Sequence, residues 1–215
     1  MTNKLANKNQ GKLFTIAAPS GTGKTSLVRN LVQRIANLEV SVSYTTRAPR
    51  PSELEGINYH FVDECTFTQM ITKGEFLEYA TIFQHHYGTA KSTVEAALAA
   101  NKNILLEIDW QGVDQIRELF PHCISIFILP PSLAALKQRL FNRGQDSEAV
   151  IAERLAAAKN EIAHCQNADH WVVNDDFETA LGELEAIVAR KVLPSLADKV
   201  QKQALIKQLL GNHHF

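Results

Sequence analysis

A short apolar run, a glycine-rich turn and a helical pattern follow one another near the start of the chain, and this succession constrains the fold most. Residues 13–18 (LFTIAA) predict a buried strand. After the turn, Leu27, Leu31 and Ile35 recur at helical spacing. A strand, a glycine-rich turn and a helix in this order are the context in which backbone N–H groups bind phosphate. The sequence therefore predicts an α/β fold with a phosphate-binding loop after its first strand.

The turn itself, residues 18–25 (APSGTGKT), matches the Walker A pattern G-x-x-x-x-G-K-[ST] except at its first position, where alanine replaces glycine. Gly21 and Gly23 permit backbone angles that aim N–H groups at a phosphate. Lys24 can reach the β- and γ-phosphates, and Thr25 can offer its hydroxyl to Mg²⁺. The alternative, a glycine-rich turn with a chance Lys-Thr pair, is disfavoured by the flanking strand and helix. The residues expected to bind the triphosphate are Ser20, Gly21, Thr22, Gly23, Lys24 and Thr25.

Strand and helix patterns alternate along most of the remaining chain. Strands are predicted at 40–43, 104–109, 123–129 and 171–174, and helices at 92–100, 112–119, 148–165, 177–193 and after Ser132. This alternation predicts a parallel sheet covered by helices on both faces. Residues 44–90 depart from it, with short strands predicted near 57–62 and 76–83 and a helix near 66–73. We interpret them as an inserted substrate-binding subdomain.

Asp109 follows the strand at 104–108, and ligands of open α/β sheets collect at the carboxyl ends of the strands. Asp109 is therefore a candidate ligand of Mg²⁺, through water. The alternative is a strand-end aspartate that forms a turn.

Charge and composition exclude several classes of protein. The 215 residues carry 22 Lys and Arg against 23 Asp and Glu, and this balance opposes a general nucleic-acid binder. No run of 18 apolar residues predicts a membrane-spanning helix. The polar first ten residues lack the apolar core of a secretory signal, so a cytoplasmic protein is expected. The odd number and wide spacing of Cys65, Cys123 and Cys165 favour neither a disulfide nor a zinc site.

Several further blocks resemble, in family order, segments of guanylate kinases. They are residues 41–50 (SVSYTTRAPR), 56–62 (GINYHFV), 76–80 (FLEYA), 86–89 (HYGT), 108–112 (IDWQG), 130–132 (PPS), 143–144 (RG) and 173–176 (VNDD). The resemblance covers roughly residues 13–192. It implies phosphoryl transfer from ATP to GMP, with Mg²⁺ as the cofactor.

The resemblance also implies a three-part architecture. A P-loop NTPase core (12–43 and 91–192) carries an inserted GMP-binding subdomain (44–90) and a mobile lid (142–158). Residues 194–215 form a C-terminal tail, interpreted either as a docking or oligomer-forming segment or, as we favour, a solvated helix. Whether copies of the chain form a homo-oligomer is left open.

For the acceptor, the resemblance makes Glu78 the carboxylate that recognises guanine, which presents the adjacent N1–H and N2 amino donors that adenine lacks. Alone, Glu78 would be interpreted as a solvated glutamate, Arg47 and Arg50 as a surface pair, and the tyrosines as core residues. In the family context the arginines and tyrosines bind the GMP phosphate, since a guanidinium offers a bidentate fork. The implied GMP-binding set is Ser43, Arg47, Arg50, Tyr59, Glu78, Tyr87, Thr89 and Asp109.

For the donor, Arg139, Arg143 and Arg154 match arginines in or near the lid, and Asn174 matches a position near ATP. Positioned cations stabilise the charge that phosphoryl transfer spreads over oxygen. The alternatives are helix pairing of these arginines with acids such as Asp146 or Glu153, and capping of the helix near Phe177 by the Asn174 segment. The implied catalytic set is Lys24, Arg47, Asp109, Arg143 and Arg154, and the implied metal ligands are Thr25 and Asp109.

Two other functions share some of these features. Guanylate-kinase-like modules of scaffolding proteins bind phosphorylated peptides, but they usually lack a working P-loop, whereas residues 23–25 (GKT) are retained here. A kinase of another nucleoside monophosphate would share every ATP-side residue. Only the segment 43–89 argues against that second alternative.

Overall fold

The structure, a computed structural model, describes residues 11–82, 84–142, 147–190 and 195–211. Its strands are β1 (Leu13–Ala17), β2 (Leu38–Ser41), β3 (Tyr44–Thr45), β4 (His60–Phe61), β5 (Phe76–Ile82), β6 (His85–Ala90), β7 (Asn103–Glu107), β8 (Ile124–Leu129) and β9 (His170–Val173). Its α-helices are α1 (Lys24–Arg34), α2 (Glu64–Thr72), α3 (Lys91–Ala99), α4 (Trp110–Leu119), α5 (Leu133–Asn142), α6 (Glu148–Ala163), α7 (Phe177–Val188) and α8 (Leu196–Leu210). A 3₁₀ turn, His164–Asn167, follows α6.

The described residues fall into two compact units. The first takes residues up to 15 and 37–123, and the second takes residues 16–36 and those from 124 onward. The boundary falls inside β1. Strands with both neighbours hydrogen-bonded and both faces covered are almost wholly apolar, as β1 and β8 are (LFTIA and ISIFIL).

The first unit contains part of the larger sheet and all of a smaller one. In the larger sheet the order within this unit is β2-β7-β1, and β2 pairs with β7 in parallel, with Val40 opposite Leu105. Helix α3 packs on both β2 and β7. The smaller sheet has the order β4-β3-β6-β5, and its β5–β6 ladder is antiparallel. Helix α4 packs on β5.

The second unit continues the larger sheet in the order β1-β8-β9, and β8 pairs with β9 in parallel, with Ile128 opposite Val172. Helix α7 packs on β9 and on α1, and α6 packs on α5 and α8. The packing of α5 on α6 buries Leu136, Leu140 and Ile151. The predicted α/β fold with a parallel sheet flanked by helices is confirmed.

Helix starts follow the polar residues that precede them. Asp63, Asp109, Ser132, Ser147, Asp176 and Ser195 each accept a backbone N–H of the following first turn. Such caps satisfy donors that have no partner within the helix. The cap predicted at Ser132 is therefore confirmed, with 3.0 Å between Ala135 N and Ser132 Oγ.

Several elements differ from the sequence prediction. The strand predicted at 40–43 is Leu38–Ser41, the one predicted at 57–62 is only His60–Phe61, and the short β3 was not predicted. The strand β6 (HHYGTA) was not predicted, because its few apolar residues follow no alternation and its stability comes from pairing with both β5 and β3. Helix α7 ends at Val188, before the predicted end at 193, although residues 191–194 are outside the described part.

Candidate active site

The phosphate-binding loop, residues 18–25, joins β1 to α1 in the second unit. Both of its glycines have a positive φ, +92° at Gly21 and +94° at Gly23. A Cβ at Gly21 would also lie 2.9 Å from Leu140 Cδ2, and one at Gly23 would lie 2.6 Å from Asn174 Nδ2. Backbone conformation and available space therefore both require glycine at these two positions.

The loop is held from one side by two predicted ATP-site residues. Asn174, which is 5% exposed, donates through Nδ2 to the Thr22 carbonyl at 2.6 Å. Arg139 donates to the same carbonyl at 3.4 Å and to the Asn174 carbonyl at 2.9 Å. These contacts fix the loop backbone. The alternative that the Asn174 segment caps the next helix applies only to Asp176, which accepts Thr179 N at 2.9 Å.

The N-terminus of α1 is suited to an anion. Within the described residues no side chain caps this helix, and its first turn contains no acidic residue. Its first N–H groups and the positive end of its dipole are therefore available to phosphate oxygens. Lys24 and the exposed Thr25 occupy the first two helical positions. The loop and the start of α1, both in the second unit, can thus bind a polyphosphate.

Of the three arginines predicted near ATP, the structure describes Arg139 and Arg154 but not Arg143. Arg154, on α6, lies within 3.4 Å of the loop hydroxyl Ser20 Oγ, so the structure brings it to the phosphate-binding loop. Arg139 also reaches the loop, as above. Neither of these contacts is the alternative pairing with Asp146 or Glu153. Arg143 lies outside the described residues, as does Asp146.

In the first unit, Glu78 and Thr89 form a cross-strand pair between β5 and β6. Thr89 Oγ1 donates to Glu78 Oε1 at 2.5 Å, and both residues are buried, with Glu78 4% exposed. The buried hydroxyl of Ser43, predicted as a neighbour, belongs to the same unit. A carboxylate has about four acceptor positions, so Glu78 can accept further N–H donors besides the threonine. The interpretation of Glu78 as a solvated side chain is wrong.

The predicted phosphate-binding arginine Arg47 is already paired with a carboxylate. Its Nη2 lies 2.9 Å from both oxygens of Glu53, and its guanidinium carbon lies 5.4 Å from the Tyr59 ring centroid. Although partial burial opposes its charge, hydrogen bonds with Glu53 and Tyr87 raise the pKa of Arg47. Arg47 is thus a positioned, charged fork rather than a free surface residue.

The sequence analysis missed Glu53, which contacts both of the predicted phosphate-binding arginines. It also accepts the Arg50 N–H at 2.8 Å and lies 3.8 Å from Arg50 Nη1. Burial would raise the pKa of Glu53, but the Arg50 N–H and the Arg47 guanidinium hold it below its ordinary 4.5. A carboxylate three residues after one arginine and six after another is the signal that could have identified it.

The two predicted tyrosines lie edge to face, with ring centroids 5.9 Å apart. Burial, followed by electrostatic interactions with the Tyr87 and Glu107 side chains, raises the pKa of Tyr59 to about 12. Its hydroxyl therefore stays protonated at neutral pH and can donate to an anion. The alternative that both tyrosines serve only as core residues is weakened by the contact of Tyr59 with Arg47.

Asp109 caps α4, and this capping is the turn-forming role weighed as the alternative to metal binding. Its Oδ1 accepts Gly112 N at 2.9 Å, and its Oδ2 accepts Gln111 Nε2 at 3.1 Å. Among the described residues, no group of three or more His, Cys, Asp or Glu could hold a metal ion. No described helix is long and apolar enough to cross a membrane.

Comparison with known proteins identifies one family. The model of the family described as Guanylate kinase matches residues 10–191. A guanylate kinase of Methylococcus capsulatus is 53% identical over 207 residues, covering 94% of this chain and 99% of that protein. One of Coxiella burnetii is 50% identical over 205 residues, covering 91% and 100%. A crystal structure of guanylate kinase from Anaplasma phagocytophilum matches with a TM-score of 0.72 and 31% identity, covering 93% of this chain and 95% of that chain.

Proposed function

The chain belongs to the guanylate kinase family, and from that premise we propose which residues carry each part of its reaction. The protein transfers the γ-phosphoryl group of ATP to GMP, giving ADP and GDP. An oxygen of the GMP phosphate bonds to the γ-phosphorus while the bond from that phosphorus to ADP breaks. Since this oxygen is already anionic near neutral pH, positioning and charge stabilisation are the work left to the protein.

The observation that carries the base assignment is the buried Glu78–Thr89 pair. A buried carboxylate, which can accept several hydrogen bonds at once, matches the N1–H and N2 amino donors of guanine, and adenine presents no such pair. A buried acceptor left without a donor is costly, so the wrong base is rejected more strongly than the right one is attracted. We assign Ser43 to the same recognition as a buried hydroxyl.

The GMP phosphate is assigned to the Arg47 region. The guanidinium held by Glu53, the nearby Arg50, and the hydroxyls of Tyr59 and Tyr87 supply cations and donors of the kind a phosphate needs. Because Glu53 holds Arg47 in one orientation, less side-chain freedom is lost when the phosphate binds.

The ATP polyphosphate is assigned to the loop and the start of α1. The N–H groups of Ser20, Gly21 and Gly23 to Thr25, with the Lys24 ammonium group, bind the phosphates. The Thr22 N–H instead donates to the Pro19 carbonyl within the loop, and Asn174 and Arg139 keep the loop in shape through the Thr22 carbonyl. Arg154, which contacts Ser20, stabilises the charge that develops on the transferred group. Arg143 is retained in the same role on the family pattern alone, since it lies outside the described residues.

Mg²⁺ is the proposed cofactor, with the Thr25 hydroxyl and the Asp109 carboxylate as its protein ligands. Both are hard oxygen donors, and Mg²⁺ is usually bound by one or two such groups together with water and substrate phosphates. This fits the absence of a dense acidic cluster among the described residues. When bound, the ion would neutralise phosphate charge.

The remaining predictions about the whole protein stay proposals. We propose the division into a core (12–43 and 91–192), a GMP-binding subdomain (44–90) and a lid (142–158), of which the structure describes Asn142 and residues 147–158. We propose a cytoplasmic location, where ATP and GMP are available. Binding to nucleic-acid polymers or to membranes is not proposed, and the tail at 194–215 is assigned no partner.

A coupled assay of ADP release with GMP, AMP, CMP and dTMP tests the proposed assignment. Turnover with GMP is expected to exceed that with each other acceptor by orders of magnitude. An equal or greater rate with AMP would contradict the role given to Glu78.

A further inference from the structure

Gly112, the third residue of α4, lies against the carboxylate of Glu78. A Cβ built at position 112 would lie 2.5 Å from Glu78 Oε2 and 3.1 Å from its Cδ. Real side chains do not approach that closely, so a methyl group at 112 and the present carboxylate position exclude each other. Gly112 is not among the residues with positive φ, so the helix itself would accept another residue here. The property of glycine that matters at position 112 is therefore its lack of a side chain, not its backbone freedom.

The carboxylate has little freedom to move away from such a methyl group. Its Oε1 accepts the buried Thr89 hydroxyl at 2.5 Å, and Glu78 stands in the β5–β6 ladder opposite that threonine. Gly112 is held equally well, because its N–H donates to the capping carboxylate of Asp109 at 2.9 Å. Strand and helix therefore fix both partners, and a methyl group would displace the carboxylate or break its bond to Thr89.

We infer that Gly112 is a specificity-determining positioning residue, whose missing side chain lets the Glu78 carboxylate take the position that recognises guanine. The inference rests on the proposed assignment of Glu78 to the base. Gly112 itself contacts no reacting atom. Its substitution acts through Glu78 and thus on GMP rather than on ATP.

The first test is Gly112→Ala, with the Michaelis constants for GMP and ATP measured separately. A displaced carboxylate is expected to raise the KM for GMP by roughly 10- to 100-fold and to leave the KM for ATP unchanged. Gly182→Ala is the matched control, because Gly182 lies in α7 and a Cβ there would meet nothing within 4 Å. The control is expected to raise the melting temperature by about 2–4 °C without changing either constant.

The second test repeats Gly112→Ala in a Glu78→Ala background. With the carboxylate gone, the nearest remaining neighbour is Ile108 Cβ, 3.2 Å from the built Cβ, a gap that a small shift relieves. In this background we expect less than a twofold further change in GMP binding, and a melting temperature that rises as in the control. In the native background the same substitution is expected to lower the melting temperature, because it strains the buried carboxylate.

The outcomes separate the two claims. Native-like GMP binding by the Gly112→Ala variant, or an equal loss in both backgrounds, would overturn the inference, since the second result would mean that α4 itself is disturbed. If Glu78→Ala left GMP binding unchanged, the base assignment would fail instead. If Glu78→Ala weakened GMP binding and Gly112→Ala did not, only the role of Gly112 would be contradicted.

Discussion

The phosphate-binding loop and the Glu78–Thr89 pair present different kinds of chemical group to a ligand. In the loop, the groups offered to the ligand are backbone N–H groups, released by two glycines at positive φ and an uncapped helix. In the pair, the group that we propose to recognise the base is one buried carboxylate, held by a hydroxyl from the neighbouring strand. The loop is therefore suited to any polyphosphate, whereas recognition by the pair would depend on the charge and position of a single side chain.

The supports of the two regions differ as well. The loop is held by Asn174 and Arg139, which both donate to the Thr22 carbonyl and so occupy an acceptor rather than any N–H group of the loop. On the proposed acceptor side, the charged ends of the side chains are themselves held, as in the contacts of Arg47 with Glu53 and of Glu78 with Thr89. Substitutions of a support should consequently act on ATP in the first region and on GMP in the second.

The largest effect is expected from Lys24→Met, which removes the ammonium group of the loop. Turnover should fall by about 100- to 1,000-fold, with the KM for GMP and the melting temperature nearly unchanged. Steady-state kinetics and thermal unfolding measure both. Lys137→Met, at an exposed position of α5, is the control and should behave as wild type. A Lys24→Met variant that kept most of its activity would remove Lys24 from the mechanism.

Glu78→Gln keeps the side-chain shape but replaces an acceptor with an amide donor facing the guanine donors. The KM for GMP should rise by about 10- to 100-fold, while the KM for ATP stays the same. Glu75→Gln, at an exposed position just before β5, serves as the control and should change neither constant. A variant in which only the ATP constant rises would show that the two regions had been assigned the wrong way round.

Asn174→Ala removes the amide that supports the loop and leaves the Thr22 carbonyl without that donor. ATP binding should weaken by roughly tenfold and the free energy of unfolding should fall by about 1–3 kcal/mol, with GMP binding unaffected. Substrate titrations and urea unfolding measure the two effects. Asn160→Ala, exposed on α6, is the control. Equal weakening of ATP and GMP binding would contradict separate supports for the two regions.

The smallest effect concerns Glu53 and depends on pH. Its folded-state pKa lies below the ordinary 4.5, so the unfolded chain binds the proton more readily. The stability that the ionised carboxylate contributes is thus fully present above pH 4.5 and is lost as the pH falls through the lowered folded-state pKa. Glu53→Gln should cost about 1–2 kcal/mol of unfolding free energy at pH 7, and the difference from wild type should shrink at low pH.

Urea unfolding of both proteins between pH 7 and pH 3 measures this difference. Glu95→Gln is the control, because Glu95 is exposed on α3 and its ion pair with Lys91 is solvated; its difference from wild type should be smaller than that of Glu53→Gln at every pH. A gap for Glu53→Gln that stayed constant down to pH 3 would show that its charge does not support Arg47.

Local patterns were sufficient wherever the physical cause is local. The loop glycines, the caps at Asp109 and Ser132, and the apolar strands β1 and β8 can all be recognised from neighbouring residues. The ordered blocks identified the family, which the comparisons confirm. The site residues read from those blocks stay predictions, although the structure brings Arg139, Arg154 and Asn174 to the loop.

Other features depend on partners that are distant along the chain. The strand β6 has no apolar alternation of its own and exists because two strands flank it. The contact between Asn174 and Thr22 joins residues 152 positions apart, and Gly112 meets Glu78 only because α4 packs on β5. No periodicity or motif spacing carries such information.

Chain order alone was enough to specify the alternating strands and helices, the anion-binding turn and the kind of chemistry, since backbone conformation and hydrophobic periodicity are short-range properties. Only the tertiary structure determined which residues contact each other. It places Glu53 beside Arg47, Thr89 beside Glu78, and a glycine where a methyl group would displace a carboxylate. Steric exclusion and hydrogen bonding act over a few ångströms of space, whatever the separation along the polypeptide.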